Sequence, residues 1–254
     1  GALALAEVHL ATGELGKNGE PLAVTDVAGI AESATTFGLA RRFAGNALII
    51  AQLPKRALEE LEPARKLAPK DVELAYTAAI AAADAGAVAD GRALVTSLGD
   101  ALDAQLSRAR FEDHLHDSAA ALRLLNPVVR AHPNNAVALN LTGYLLADRK
   151  ERLDEAEKLL VHARELSPGD PAVLDSWGWL LLQRGRTREA IRALDHASRF
   201  APREPEILLH LATAWATDNQ PKTAVRLLDQ AIGLHPPLDV KRRIDALRST
   251  LMIK

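Results

Sequence analysis

One pattern is written three times between residues 136 and 238, and it decides what the chain can become. Gly143, Gly178 and Ala212 lie 35 and 34 residues apart, while Ala156, Ala190 and Ala224 lie 34 and 34 apart. Pro168, Pro202 and Pro236 are again 34 and 34 apart. A fixed period of this length marks stacked two-helix units, in which no unit buries its own apolar face and each needs a neighbour.

Residues 171–204 contain the physics of one unit. Leu174, Trp177, Gly178 and Leu181 recur at i, i+3, i+4 and i+7, one face of a helix. Asp170 is placed to cap that helix, and Pro171 fits its first turn, where a missing N–H costs little. Gly185 stands where a left-handed residue would end it. A second helix is predicted through Ala190, Ile191, Leu194, Ala197 and Phe200, stopped by Pro202. Gly178 in mid-helix costs about 1 kcal/mol against Ala. Its place across from Ala190 points to a steric reason: two helices crossing too closely for a larger side chain. The same small–small pairing recurs as Gly143/Ala156 and Ala212/Ala224, and upstream as Gly45/Ala57, Ala79/Gly91 and Ala109/Ala121.

These residues resemble the tetratricopeptide repeat family, a 34-residue helix–turn–helix unit. The matching features are a small residue eighth in the unit, Ala twentieth, a small or apolar residue twenty-seventh (Ala163, Ala197, Ala231) and Pro thirty-second. The resemblance implies an all-α fold, a right-handed α-solenoid of stacked repeats at 38–71, 72–101, 102–135, 136–170, 171–204 and 205–238. A degenerate helical pair is expected over 1–37 and a capping helix over 239–254. The words "NLTGYLLADR", "RLDEAEKLL" and "PAVLDSWGWLLLQRGRTREAIRAL" look like bacterial members, several of which are secreted envelope lipoproteins acting as adaptors. That likeness implies the bacterial periplasm or cell envelope, with the cytoplasm as the alternative.

Composition narrows the function classes. A formal charge of −2 argues against a nucleic-acid binder dominated by phosphate contacts. The absence of cysteine excludes disulfides, thiol catalysis and thiolate metal sites. No run of 18 apolar residues occurs, since the longest candidate, 75–89, is interrupted by Asp84, so no membrane span is predicted. The chain opens at Gly1 without Met or a basic leader, which reads as a mature or trimmed fragment.

Towards the ends the pattern blurs. Helices are predicted over 2–12, ended by Gly13, and over 24–36, with a loop from Gly16 to Pro21 between them. The third unit turns through "EDHLHD" without glycine, and the fourth carries an extra residue near Lys150. An end helix is expected over 239–253, with Val240, Ile244, Leu247 and Leu251 on one face and Lys241, Arg242, Arg243 and Arg248 elsewhere.

In the family the first helix of each unit lines a concave groove. Positions two, five, nine, twelve and thirteen point into it, and four, seven, eight and eleven pack inward. Trp177 and Trp179 are two apart and so about 200° around a helix. The resemblance therefore implies that Trp177 packs inward and Trp179 faces the groove. Tyr144 takes the equivalent place one unit earlier, roughly 10 Å away. Around them are expected Asn140, Asp148, Asp175, Gln183, His210 and Thr213. An aromatic pair with amide and carboxylate neighbours suits a peptide segment; alternatively, the rings pack against an adjacent helix.

Arg42 and Asn46 hold the fifth and ninth places of their unit, where carboxylate-clamping members carry a basic residue and Asn. Tyr76, Ile80, Leu106 and Arg110 leave that clamp incomplete, and Arg42 is equally a solvated surface charge. Glu112, Asp113, His114, His116 and Asp117 form the one His–carboxylate cluster in the sequence, read as a solvated acidic turn. His162 and His196, one repeat apart, are too distant to share an ion with Zn–N bonds near 2 Å and are expected on the outer surface. No phosphate loop, G-x-S-x-G or H-E-x-x-H occurs.

The expected function is that of a non-enzymatic scaffold or adaptor with a protein or peptide partner, part of an envelope assembly or export system. No cofactor, metal or nucleic acid is called for, and a homo-oligomer is possible on this pattern. The alternatives are a self-assembling structural protein and an accessory domain of a larger enzyme or polysaccharide-export machine.

Overall fold

In a computed structural model of the chain, residues 1–17 and 19–252 are described, and every regular element among them is a helix. The one β feature among them is an isolated bridge between Leu15 and Pro21. Two compact units divide the chain, Gly1–Leu124 and Leu125–Lys254.

The first unit holds α1 (Ala2–Thr12), α2 (Leu22–Val27), α3 (Phe37–Ile50), α4 (Pro54–Leu67), α5 (Val72–Asp84), α6 (Val88–Thr96) and α7 (Leu102–His114). Helix α8 (Ser118–Ala131) runs through the division. The second unit holds α9 (Ala136–Asp148), α10 (Leu153–Leu166), α11 (Pro171–Gln183), α12 (Thr187–Phe200), α13 (Pro205–Thr217), α14 (Pro221–Ile232) and α15 (Leu238–Met252). Residue 253 of the expected end helix lies outside the described residues.

Packing follows one rule within each unit. A first helix packs on its own partner, as α9 on α10, α11 on α12 and α13 on α14; it packs also on the next first helix, as α9 on α11 and α11 on α13. Each second helix leans on the following first helix, as α10 on α11, α12 on α13 and α14 on α15. Helix α15 thus takes the place of one more first helix, burying Val240 and Ile244 against a core that includes Leu208, Leu211 and Leu228.

The turn from first to second helix repeats one backbone device. At Gln52, Gly86, His116, Lys150, Gly185 and Asn219 the chain enters the left-handed region, with φ between 54° and 89°. At Gly185 the N–H reaches Leu182 O at 2.9 Å, and the next N–H, of Arg186, reaches Leu181 O at 2.9 Å, a Schellman cap. His116 fills the same place in the third unit with the same pair of bonds, to Asp113 O and Glu112 O. The glycine-free turn "EDHLHD" is therefore an ordinary cap with a costlier residue in it. The extra residue near Lys150 is absorbed by a second left-handed residue, Arg152.

The close crossings are real, but their main partner differs from the expected one. A Cβ on Gly178 would stand 2.5 Å from Leu194 Cγ, and one on Gly143 would stand 2.6 Å from Leu160 Cγ. The glycine makes room for a buried leucine one turn beyond the alanine. For Gly143 the Ala156 carbonyl is also near, at 3.3 Å, and Gly91 faces the Ala79 carbonyl at 2.7 Å, with the small residue now on the second helix.

At the N-terminus, α1 ends on left-handed Gly13 as expected, but the second helix, expected over 24–36, stops at Val27. Gly29, Ser33, Thr35 and Thr36 are poor helix formers. The chain continues instead in single turns, Ile30 N–H to Val27 O and Phe37 N–H to Ala34 O, which let Ile30 and Phe37 both reach apolar neighbours.

Gly178→Ala tests the crossing. Helix propensity would favour the change by about 1 kcal/mol, whereas overpacking a buried leucine costs roughly 1–3 kcal/mol. Net destabilisation of up to about 2 kcal/mol is expected, read by urea unfolding followed through tryptophan fluorescence. All three tryptophans, at 177, 179 and 215, belong to the second unit.

Candidate functional site

Because α9, α11 and α13 pack in series, side chains a full unit apart in sequence meet on one face. Trp179 on α11 donates its indole N–H to Asp148 Oδ1 on α9 at 3.0 Å. The same ring stacks on His210 of α13, centroids 4.2 Å apart and planes 23° apart. Tyr144 on α9 tilts towards that imidazole at 6.1 Å. Trp179 is thereby held at one edge by a hydrogen bond and across its face by a stacked ring.

His210 is the unusual residue. Its place, sixth in its unit, carries Thr77, Ser107 and Ser176 in the second, third and fifth, all of them buried. Thr77 and Ser176 satisfy their hydroxyls on the carbonyls of Glu73 and Ala172, each at 2.9 Å. An imidazole needs partners from other helices. His210 is fully buried, and its Nδ1 lies 2.9 and 3.0 Å from the two carboxylate oxygens of Asp175. Its Nε2 lies 3.2 Å from an Arg243 Nη2 brought in by α15, while Arg243 Nη1 donates to Glu206 at 2.5 Å. Arginine has only donors, so the Arg243 contact requires an unprotonated Nε2 and places the ring proton on Nδ1, facing Asp175.

The charges act on one another. Burial disfavours the imidazolium of His210, but the charge and hydrogen bond of Asp175, with Glu206, outweigh it and raise the pKa against the opposing Arg243. Burial first, then Glu206 and Asp148, push the Tyr144 phenol well above its usual range. For Glu206 burial works against ionisation, yet His210 and Arg243 leave its carboxyl below the usual carboxylate value. Glu204 moves the other way, raised by burial and by the neighbouring charges of Glu206 and Asp175. Both imidazole nitrogens are engaged, one on a carboxylate and one on a guanidinium, so the pair orients the indole, and the one basic atom left on the ring, Nε2, stands behind Arg243.

Other expected site residues fall out differently. Asn140 is half-buried on α9, and its Oδ1 is enclosed without a hydrogen-bond partner among the described residues. Gln183 is half-buried on α11, and Thr213 spends its hydroxyl on Leu209 O at 2.8 Å. Asp175 and His210, expected to line the surface, are buried beneath Trp179 and serve it from below. Trp177 is half-buried against the core that holds Leu181, with the Arg164 guanidinium 4.6 Å from its ring centre.

In the first unit, Arg42 is an ion-paired side chain, bonded to Glu73 at 3.0 Å, and Asn46 is half-buried on α3. The "EDHLHD" cluster is not a solvated acidic turn. Glu112 is buried and takes a two-pronged bond from Arg92 at 2.7 and 2.8 Å, His114 meets Asp84 at 2.9 Å, and Asp117 accepts from the Ala120 N–H of α8. His162 sits beside Asn134 at 2.9 Å, and exposed His196 lies against Phe200. Among the described residues no three His, Asp or Glu side chains converge as a metal ion would need.

Two members of the network, Glu206 and Arg243, were not expected. Arg243 reads as part of the solvated side of an end helix until α15 is counted as a first helix. Counted from Asp239, it then holds the fifth place, the place of Asn140 and Asp175.

Comparison with known proteins bears on the fold. A family model for the tetratricopeptide repeat matches residues 108–171 and 176–239. Over 80 residues the chain is 41% identical to a TPR repeat-containing protein of Pseudomonas aeruginosa; the match takes in 32% of this chain and 14% of that relative's length. The fold is similar to that of a tetratricopeptide repeat protein from Parabacteroides merdae, with a TM-score of 0.63 at 12% identity, over 99% of this chain and 97% of that one. It is similar also to a chain of the APC/C hetero-tetramer Cut9–Hcn1, with a TM-score of 0.60 at 12% identity, over 99% and 48%. At such identities the likeness is one of fold.

The raised pKa of His210 has a direction that can be measured. A histidine held above its unfolded value of 6.5 adds stability that is complete below that value and is lost as pH rises through the folded one. Relative to His210→Gln, the second unit should lose stability as pH rises above about 6.5. Asp175→Asn should flatten that difference and cost about 1–3 kcal/mol. Urea midpoints across pH, read by tryptophan fluorescence, check both.

Proposed function

The chain belongs to the tetratricopeptide repeat family, whose repeats generally mediate protein–protein interaction, and from that premise we propose that it is a non-enzymatic adaptor. It takes a protein segment on the first-helix face of its second unit, at Tyr144, Asp148 and Trp179. The observation that carries this reading is the clamped indole. Trp179 is half-buried and held at two points, so a partner that packs on it pays little ordering entropy.

Charge complements the rings. Glu206 is matched by Arg243, whereas exposed Asp148 forms no ion pair among the described residues, so a carboxylate stands uncompensated beside the aromatic pair. A segment bringing lysine or arginine suits this face, as the chain's own Arg243 does from within. We propose further that the protein acts in an assembly or export system of the bacterial cell envelope. The likeness to a Pseudomonas aeruginosa protein supports a bacterial setting, and fractionation of the source cells tests the compartment.

The partner face is tested by a photoreactive residue at Gln183, on α11, compared with one at exposed Arg192 on α12. Adducts are expected from 183. Trp179→Ala, with unchanged helicity by circular dichroism, should abolish them and weaken partner binding at least 30-fold, roughly the 2 kcal/mol of a hot-spot residue. Adducts from 192 alone, or adducts at 183 indifferent to Trp179→Ala, would overturn the assignment.

A further inference from the structure

The contact between α15 and α13 is compatible with only one protonation state of a fully buried histidine. His210 Nδ1 faces a carboxylate and keeps its proton in either state, whereas Nε2 accepts from Arg243 at 3.2 Å only while it bears a lone pair. A second proton there would set N–H against N–H and imidazolium against guanidinium. The remaining acceptor near Nε2 is Glu206 Oε1, at 3.9 Å, and Arg243 already holds it at 2.5 Å. A protonated His210 and Arg243 thus compete for one carboxylate.

Helix α11 contributes Asp175 and the stacked Trp179, and α15 contributes Arg243. From α9, Tyr144 reaches the ring and the charge of Asp148 acts on Arg243; Glu206 comes from α13 itself, and Glu204 at its N-cap couples to Glu206 and Asp175. Among the described residues no charged side chain of α12 or α14 bonds or pairs with the imidazole.

We propose that the docking of α15 beside this face is proton-gated: a proton reaching His210 Nε2 from solvent, past the 39% exposed Arg243, expels the Arg243 guanidinium, passes Glu206 to the imidazolium and loosens α15. The inference concerns regulation of the face described above and rests on that reading for its biological use. Its energetics are suited to a switch. Arg243 and Glu206 are 39% and 43% exposed, and half-exposed pairs of this kind are weak and readily exchanged. Val240 and Ile244 stay buried, so α15 loosens without leaving the core. Meanwhile the same proton tightens the His210–Asp175 pair, which joins α13 to α11. Acid therefore strengthens the α11–α13 contact while it weakens the docking of α15, a divergence that general destabilisation would not produce.

Amide hydrogen exchange on the full chain, expressed as protection factors at about pH 8 and about pH 6, reads both responses. On acidification, protection of the α15 amides should fall about five- to tenfold, while that of α13 holds or rises. In His210→Gln and in Arg243→Met the α15 values should no longer respond to pH. An α15 that keeps or gains protection in acid, or that loosens equally in His210→Gln, overturns the proposal. Should either variant fold poorly, ¹⁵N shifts of His210 in the wild-type chain decide. Protonation of Nε2 must share its midpoint with the loss of α15 protection, and separate midpoints sink the gate. No partner enters this measurement, so its failure leaves the Gln183 cross-linking result intact. A gate that opens without pH-dependent adducts at 183 would stand while the binding reading falls.

Discussion

The fold depends on a distance: how near two antiparallel helices can come when one presents no Cβ. Gly45, Gly143 and Gly178 each leave a hollow filled by a leucine of the partner helix, Leu61, Leu160 and Leu194, and all three leucines are fully buried. A hairpin closed that tightly still exposes one apolar flank, because a first helix buries residues on both sides. The next hairpin must cover the flank, and the series continues until something less apolar ends it. Helix α15 covers the flank of α13 and α14, with Val240 and Ile244 inward and Lys241, Arg242 and Asp245 outward.

That rule was legible in the sequence because it is local and periodic. The residues that set it recur at one spacing, and each records a separate constraint: Asp170 the free N–H groups of a helix start, Gly185 a left-handed turn, Pro202 a stop. The leucine partner was not legible. A 34-residue period is satisfied equally by Ala190 and by Leu194, and only coordinates tell which of two residues a turn apart meets the glycine. At the N-terminus there is no repetition to lean on. There the apolar run over 24–36 suggested a helix, which the turns at Gly29 and Ser33 break.

The candidate site divides along the same line. Trp179 facing away from Trp177 follows from helix geometry, and Tyr144 and Asp148 follow from the register. The imidazole at the centre was visible in sequence, but its role was not. In a place that carries Thr77, Ser107 and Ser176 in three other units and Phe43 and Leu141 in two, His210 is the one ionisable residue, and that departure is the signal that a different constraint applies. Its partners lie 35 residues before it and 33 after it. The fifth-place register relates Asp175 to Arg243, but it does not bring His210, one place on in its own unit, between them. The series packing of α11, α13 and α15 does.

Ionic groups of this kind, buried at Asp175 and His210 and half-exposed at Arg243 and Glu206, are poor contributors to stability, since desolvation or screening by solvent cancels much of their attraction. The Asp175–His210–Arg243–Glu206 chain is better understood through what it holds still. A neutral Thr at position 210 would fill the place occupied by hydroxyl residues elsewhere and satisfy itself on its own helix, but it would leave Trp179 without the ring on which it stacks. The network exchanges a self-contained position for one that depends on three helices, and the return is an indole fixed at its edge and on its face. An anchor so constrained has little rotameric entropy left to lose on contact with a partner. The arrangement also couples that anchor to α15 through a single nitrogen atom. A site built to be rigid at Trp179 is therefore, by the same bonds, conditional on the charge of His210.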